Sequence, residues 1–211
     1  MDFQHPFRVV GASVDGEVLA LLARAHKAYT GREVARQTGS SQDAVRLSLQ
    51  RLGRQGILDA TPGGGRSILY ELNRDHLAAP LVEHIATLHL TLLKRLRAEI
   101  EAWDPQPVAA VLFGSSARGE ASSTSDIDLL VVRPKDLDAE DIAWHGQIMA
   151  IEDKSTRWTG NDTRVFEVAE EEFPSRRGVE PAIDAALEEG IEIGGEPLRM
   201  LRKRMKGARK R

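Results

Sequence analysis

Two aspartates one residue apart, Asp126 and Asp128, open the apolar run Leu129-Leu130-Val131-Val132 and enclose Ile127. Residues i and i+2 of a strand project from the same face, so this spacing sets two carboxylates side by side while Ile127 and Leu129 turn into a core. Neighbouring carboxylates repel, and the arrangement invites a hard divalent cation, usually Mg²⁺, to neutralise them. Upstream, the buried-strand pattern Val108 to Phe113 ends at Gly114-Ser115. Glycine admits close backbone approach there. The serine, at the start of a following helix, offers a hydroxyl and free N–H groups to a phosphate. A phosphate cradle beside metal-binding carboxylates is equipment for phosphoryl or nucleotidyl transfer.

The positioning elements can be read from pattern. Strands are expected at Val108–Phe113 and Asp126–Val132, then a helix over about 139–158, a strand within TRVFEVAEEEF, a short helix in PAIDAALEEG and a last short strand in GIEIGGEPL. The stretch GSSARGEASSTSDIDLLV resembles the signature of the polymerase-beta-like nucleotidyltransferase superfamily in its minimal bacterial form, including Arg118 and Gly119 after the serines and Ser125 before the first aspartate. The resemblance implies an α+β fold over residues 105–198, a mixed sheet with flanking helices. It implies an enzyme that binds a nucleoside triphosphate, ATP being the expected one, with two Mg²⁺ ions. An acceptor hydroxyl then attacks the α-phosphate and pyrophosphate leaves. Carried over residue by residue, Asp126 and Asp128 are the metal ligands, and Gly114, Ser115, Ser116 and Arg118 bind the nucleotide. Arg118 reads equally well as a solvated helix residue.

The same family holds its metals with a third carboxylate on a neighbouring strand. Along TRVFEVAEEEF, Val165, Glu167 and Ala169 share one face while Arg164, Phe166 and Val168 share the other. Apolar Phe166 and Val168 suit burial, which leaves Glu167 to face the cleft as the third catalytic and metal-binding acid, with Asp162 as the alternative. Aligned by the family's strand-to-loop spacing, Phe166 falls on the acid's position instead. In that case the acid is absent, and the domain senses nucleotide or serves as a platform without turning it over.

The first third has the order helix, helix, hairpin. Val18, Leu19, Leu22 and Ala25 form one helical face, Thr30 and then Ser40 or Ser41 occupy cap positions, and TPGGGR turns between two strand-like runs. REVARQTGSSQDAVRLSLQRLGRQGIL resembles winged helix-turn-helix regulators, a likeness covering residues 14 to 75. It implies DNA as a partner. Gln42, Arg46, Ser48, Gln50 and Arg54 would lie on or near a reading helix in the major groove, and Arg66 at the wing. Winged helices also serve as protein–protein modules, and 10 Lys/Arg against 8 Asp/Glu over residues 1–79 is a modest positive balance for a DNA binder.

The chain thus reads as four segments: a winged helix over 1–79, a linker helix over 80–104, the nucleotidyltransferase-like domain over 105–198 and a basic tail over 199–211. Leu81, Ile85, Leu88, Leu92, Leu96 and Ile100 recur at three or four residues, giving one amphipathic helix from 78 to 103 that could also form a homodimer seam. His84 and His89, five apart, do not share a face, so no metal site is expected there. Residues 80–198 hold 11 Lys/Arg against 24 Asp/Glu, and the tail holds 8 against none. The tail could therefore contact nucleic acid phosphates or dock on the acidic body. The absence of cysteine excludes disulfides and thiolate metal sites, no apolar run reaches membrane-spanning length, and the expected location is the cytoplasm.

Overall fold

A computed structural model describes residues 1–176 and 178–208. The chain divides into two compact units, one comprising Asp2 and Gln4–Leu88, the other Met1, Phe3 and His89–Arg211.

The N-terminal unit opens with a 3-10 turn, Pro6–Val9, followed by α1 (Val14–Arg24), β1 (Tyr29–Thr30), α2 (Gly31–Thr38), α3 (Gln42–Arg54), β2 (Leu58–Pro62), β3 (Ile68–Leu72) and α4 (Ala79–Ala86). The helix starts sit where cap chemistry puts them. Ser13 accepts from the Gly16 amide, Ser41 from the Ala44 amide, and Thr30 forms a reciprocal capping box with Glu33. β2 and β3 pair as an antiparallel hairpin and β1 adds to β3, in the order β1-β3-β2. The four helices close over a core of Val18, Leu22, Val34, Val45, Leu49 and Val82.

The stretch expected as one helix is two. α4 ends at Ala86 and α5 (Leu88–Glu101) begins after Thr87, whose backbone leaves helical range at φ −114°, ψ 25°. The Thr87 hydroxyl donates to the Glu83 carbonyl at 2.7 Å, a back-bond that competes with the helical ladder. The apolar spacing that ran through the break serves two cores: Val82 and Ala86 belong to the N-terminal one, Leu92, Leu96 and Ile100 to the C-terminal one.

The C-terminal unit continues with β4 (Ala109–Phe113), α6 (Gly114–Ala117), β5 (Ile127–Arg133), α7 (Ile142–Thr159), β6 (Thr163–Ala169), α8 (Phe173–Arg176), α9 (Pro181–Glu189), β7 (Ile191–Gly195) and α10 (Leu198–Ala208). The four strands form one mixed sheet, β6-β5-β4-β7, in which β5 and β6 are parallel and the other pairs antiparallel. Both faces are covered. Ala110, Leu112, Ile127, Leu129 and Val131 pack with α5 and α7 through Leu96, Ile100, Trp144 and Ile151. Ala109, Val111, Leu130, Val132 and Val168 pack with α8, α9 and α10 through Phe173, Ile183 and Leu201.

The basic tail is helical as far as Ala208; residues 209–211 lie outside the described residues. Leu198 and Leu201 bury against the sheet, and Arg204 Nη2 pairs with Glu170 at 2.8 Å and Glu196 at 3.0 Å. These contacts are docking on the acidic body.

α5 approaches β7 so closely that a Cβ on Gly194 would lie 2.2 Å from Cγ2 of fully buried Ile100. Gly194→Ala is therefore expected to destabilise the C-terminal unit by about 1–3 kcal/mol. Gly146→Ala, on the exposed side of α7 with nothing within 4 Å, should stabilise it by up to ~1 kcal/mol. Denaturant midpoints of the two variants must move in opposite directions.

Candidate functional site

Antiparallel pairing of β4 with β5 sets Phe113 opposite Asp128, and the chain then turns at Gly114 into α6. Gly114 has φ +71°, and a Cβ on it would stand 2.9 Å from Asp128 Oδ2. The glycine thus serves the backbone conformation and the carboxylate's room together. Asp126 lies just before β5, and its carbonyl accepts from the hydroxyl of buried Ser116 at 3.4 Å. The Ser115 carbonyl accepts from the Glu120 amide at 2.8 Å, and Ser115 itself is half-buried. The structure brings Gly114, Ser115, Ser116, Asp126 and Asp128 together.

Arg118 caps α6, and its guanidinium is engaged by two acids, with Nε 2.7 Å from Glu120 and Nη1 2.6 Å from Glu189. Those hydrogen bonds, Glu120's first, raise its pKa further above the ordinary arginine value. It is held by carboxylates rather than standing free for a phosphate.

Glu167 does not join the pair. The parallel register of β5 and β6 aligns Asp128 with Arg164 and Val131 with Glu167, so Glu167 lies three residues along the sheet and on its opposite face. There its Oε1 accepts from Arg133 Nε at 2.7 Å. The expectation fails because apolar Phe166 and Val168 do not mark the face away from the aspartates. Both faces of this sheet are buried, and the aspartate face itself turns apolar at Leu130, Val132, Phe166 and Val168. Phe166 aligns with Leu130 and packs, half-buried, against that core.

Arg164 occupies the position beside Asp128. Its Nη1 lies 3.3 Å from Asp126 Oδ2 and its Nε 3.3 Å from Asp162 Oδ2, so the alternative acid is tied to the same guanidinium. Among the described residues, no group of three or more His, Cys, Asp or Glu side chains could hold a metal. Among the described residues, the two aspartates of the pair are therefore the acids that a divalent cation would meet there. Arg164 was missed as a site residue because the parallel register of β5 and β6, not alternation along β6, decides which β6 face meets the aspartates.

Asn161, also missed, is buried and donates from Nδ2 to the carbonyls of Ser122 at 2.9 Å and Ser125 at 2.7 Å. It pins the loop that delivers Asp126. Its place between Gly160 and Asp162 reads in sequence as an ordinary turn.

In the N-terminal unit, Gln42, Arg46 and Arg66 line one open cavity of about 580 Å³ with Arg32, Asp43 and Tyr70. Gln50 and Arg54 are exposed on the outer arc of α3. Ser48 is not on that arc. It is fully buried with Val45 and Leu52, and its hydroxyl donates to Asp15 Oδ1 at 2.5 Å. Helical spacing of three and four from those two apolar neighbours already placed it inward.

Burial and the neighbouring Asp126 charge raise the Asp128 pKa, and Arg164 only partly offsets them. Because the folded value lies above the unfolded one, ionisation of Asp128 costs stability at pH above the raised value. That cost vanishes below the ordinary carboxylate value. In metal-free buffer at neutral pH, Asp128→Asn is expected to raise the melting temperature. The gain must shrink in thermal scans taken at falling pH.

Residues 93–192 match the family model of a nucleotidyltransferase domain. None of the curated proteins matches the chain. Three solved structures are similar to it. A toxin–antitoxin with AMP-PNP is 16% identical, over 58% of this chain and 86% of that chain, with a TM-score of 0.35. A mutant of the MntA–HpeT toxin–antitoxin is 14% identical over 58% and 86%, with a TM-score of 0.34. A candidate nucleotidyltransferase from Sulfolobus solfataricus is 20% identical over 49% and 80%, with a TM-score of 0.29. The Gly114 turn and both aspartates of this chain lie within the segment that matches that family model.

Proposed function

We propose that the protein transfers a nucleoside monophosphate from a nucleoside triphosphate to an acceptor hydroxyl, using a divalent cation, Mg²⁺ being the expected one. The observation that carries this reading is the apposition of the Asp126–Asp128 carboxylates to the Gly114–Ser115 turn inside the matched domain. The transfer forms a bond between the acceptor oxygen and the α-phosphorus and breaks the bond to the bridging oxygen, so that pyrophosphate leaves and the acceptor's proton passes to solvent. Asp126 and Asp128 would hold the cation. Bound there, it would neutralise phosphate charge and polarise the reacting phosphoryl group. The chain's own part is positional: Gly114 keeps side-chain bulk away from the carboxylate, and the α6 backbone faces the triphosphate. ATP as the preferred base is part of the proposal.

A second reading is favoured by Arg164 at the register position beside the pair. In it the domain binds nucleotide without turnover and the N-terminal unit supplies the function. The order α1, α2, α3, hairpin in that unit supports a winged helix that binds DNA through α3 and the β2–β3 hairpin. Gln42, Arg46 and Arg66, which share a cavity, together with Gln50 and Arg54, are the contacts that reading assigns.

Calorimetric titration of the intact chain with ATP, GTP, CTP and UTP is expected to show Mg²⁺-dependent binding of at least one. The affinity should fall more than tenfold in Asp126→Ala/Asp128→Ala. Failure of every nucleotide to bind would end the transferase reading, and turnover abolished by Asp128→Ala would end the second. For the N-terminal unit, Arg46→Ala and Arg66→Ala should each reduce the salt slope of binding to duplex DNA by about one. Fluorescence anisotropy over a salt series reads that slope, and unchanged slopes would remove these arginines from the interface.

A further inference from the structure

The Asp126–Asp128 pair meets a cation of the chain itself. Arg164 is the β6 residue in register with Asp128, and the strand's neighbours on either side, Thr163 and Val165, turn to the other face. The next residue on the aspartate face, Phe166, packs against the core. This register position is therefore the one from which β6 aims a side chain at the pair, and it presents a guanidinium where an acid would coordinate metal. Asp162, the other carboxylate at hand, is engaged by the same guanidinium at 3.3 Å.

Charge balance at the pair limits metal loading. Asp126, Asp128, Asp162 and the Arg164 guanidinium together carry a net charge of −2, which one divalent cation neutralises. A second cation would add two more positive charges within a few ångströms, with no further acid converging among the described residues to offset them. Arginine keeps its charge at all working pH values, and its planar fork matches phosphate oxygens. The Arg164 side chain is 68% exposed, so it can leave Asp126 by rotation when that carboxylate takes a metal.

Resting on the nucleotidyl-transfer reading, we infer that Arg164 replaces a third acidic ligand, so that the aspartate pair binds a single divalent cation and Arg164 supplies the second positive charge to the phosphates. The intact chain titrated with Mn²⁺ alone, with free ion counted by electron paramagnetic resonance, tests the loading. Wild type and Arg164→Lys should bind one ion tightly, Arg164→Asp two, and Asp126→Ala/Asp128→Ala none. Two ions on wild type, or equal counts on wild type and Arg164→Asp, overturn this inference while leaving the nucleotide site standing. No ion on any variant overturns both. The phosphate role is tested with inorganic tripolyphosphate added to the Mn²⁺-loaded protein, where Arg164→Gln should weaken binding about tenfold. Unchanged affinity, or no binding by wild type, overturns that role.

Discussion

One antiparallel register, Phe113 opposite Asp128, holds the site together. Because Gly114 comes directly after Phe113, this register lays the turn into α6 against the Asp128 carboxylate, at a spacing no side chain could share. The α6 backbone and the Asp128 carboxylate are neighbours for that reason, although thirteen residues lie between Gly114 and Asp128 in the chain. A slip of β5 by one residue would turn both aspartates to the opposite face and bury them against α5 and α7. The rest of β5 protects the register: Leu130 and Val132 are fully buried on the aspartate face, Leu129 and Val131 on the other.

That two-sided burial also sets the electrostatics. Asp128 lies at the start of a strand whose apolar residues see no water, so its charge is poorly solvated, and Asp126 beside it adds repulsion. The fold does not relieve this by moving the loop away. Asn161 clamps the Ser122–Ser125 segment through two carbonyls, and the Ile127 amide donates to the Asp162 carbonyl at 2.8 Å. Strain of this kind is what an incoming cation would remove.

Much of this was legible in the sequence, for physical reasons that differ between elements. Thr30 and Ser41 could be read because a cap is a local bond between a side chain and an amide two or three residues on. The hairpin around residues 63–67 could be read because proline and three glycines leave little but a turn. Asp126 and Asp128 could be read because alternation along one strand needs no partner. Glu167 and Arg164 could not be told apart by that rule, since which β6 face meets the aspartates is settled by a parallel register between strands thirty-odd residues apart. The break at Thr87 was hidden for a related reason. Apolar spacing reports that a face is buried and is silent on whether one core or two does the burying.

The strongly acidic composition of the C-terminal unit fits a phosphate-binding role once its arginines are traced to their partners. Arg133 is bound to Glu167, Arg176 to Glu172 and Glu180, Arg204 to Glu170 and Glu196, and Arg118 to Glu120 and Glu189. Each of these cations is already matched by carboxylates away from the aspartate pair, so releasing it to a phosphate would leave an acid unpaired. Arg164 differs, because Asp126, one of its two partners, is itself a proposed metal ligand. When a cation takes that carboxylate, the guanidinium loses a partner and gains freedom at the same moment, beside the place where the triphosphate would lie. Metal entry and phosphate capture are then coupled through one side chain, and the acidic surroundings favour that order because bare triphosphate is repelled until the cation is in place.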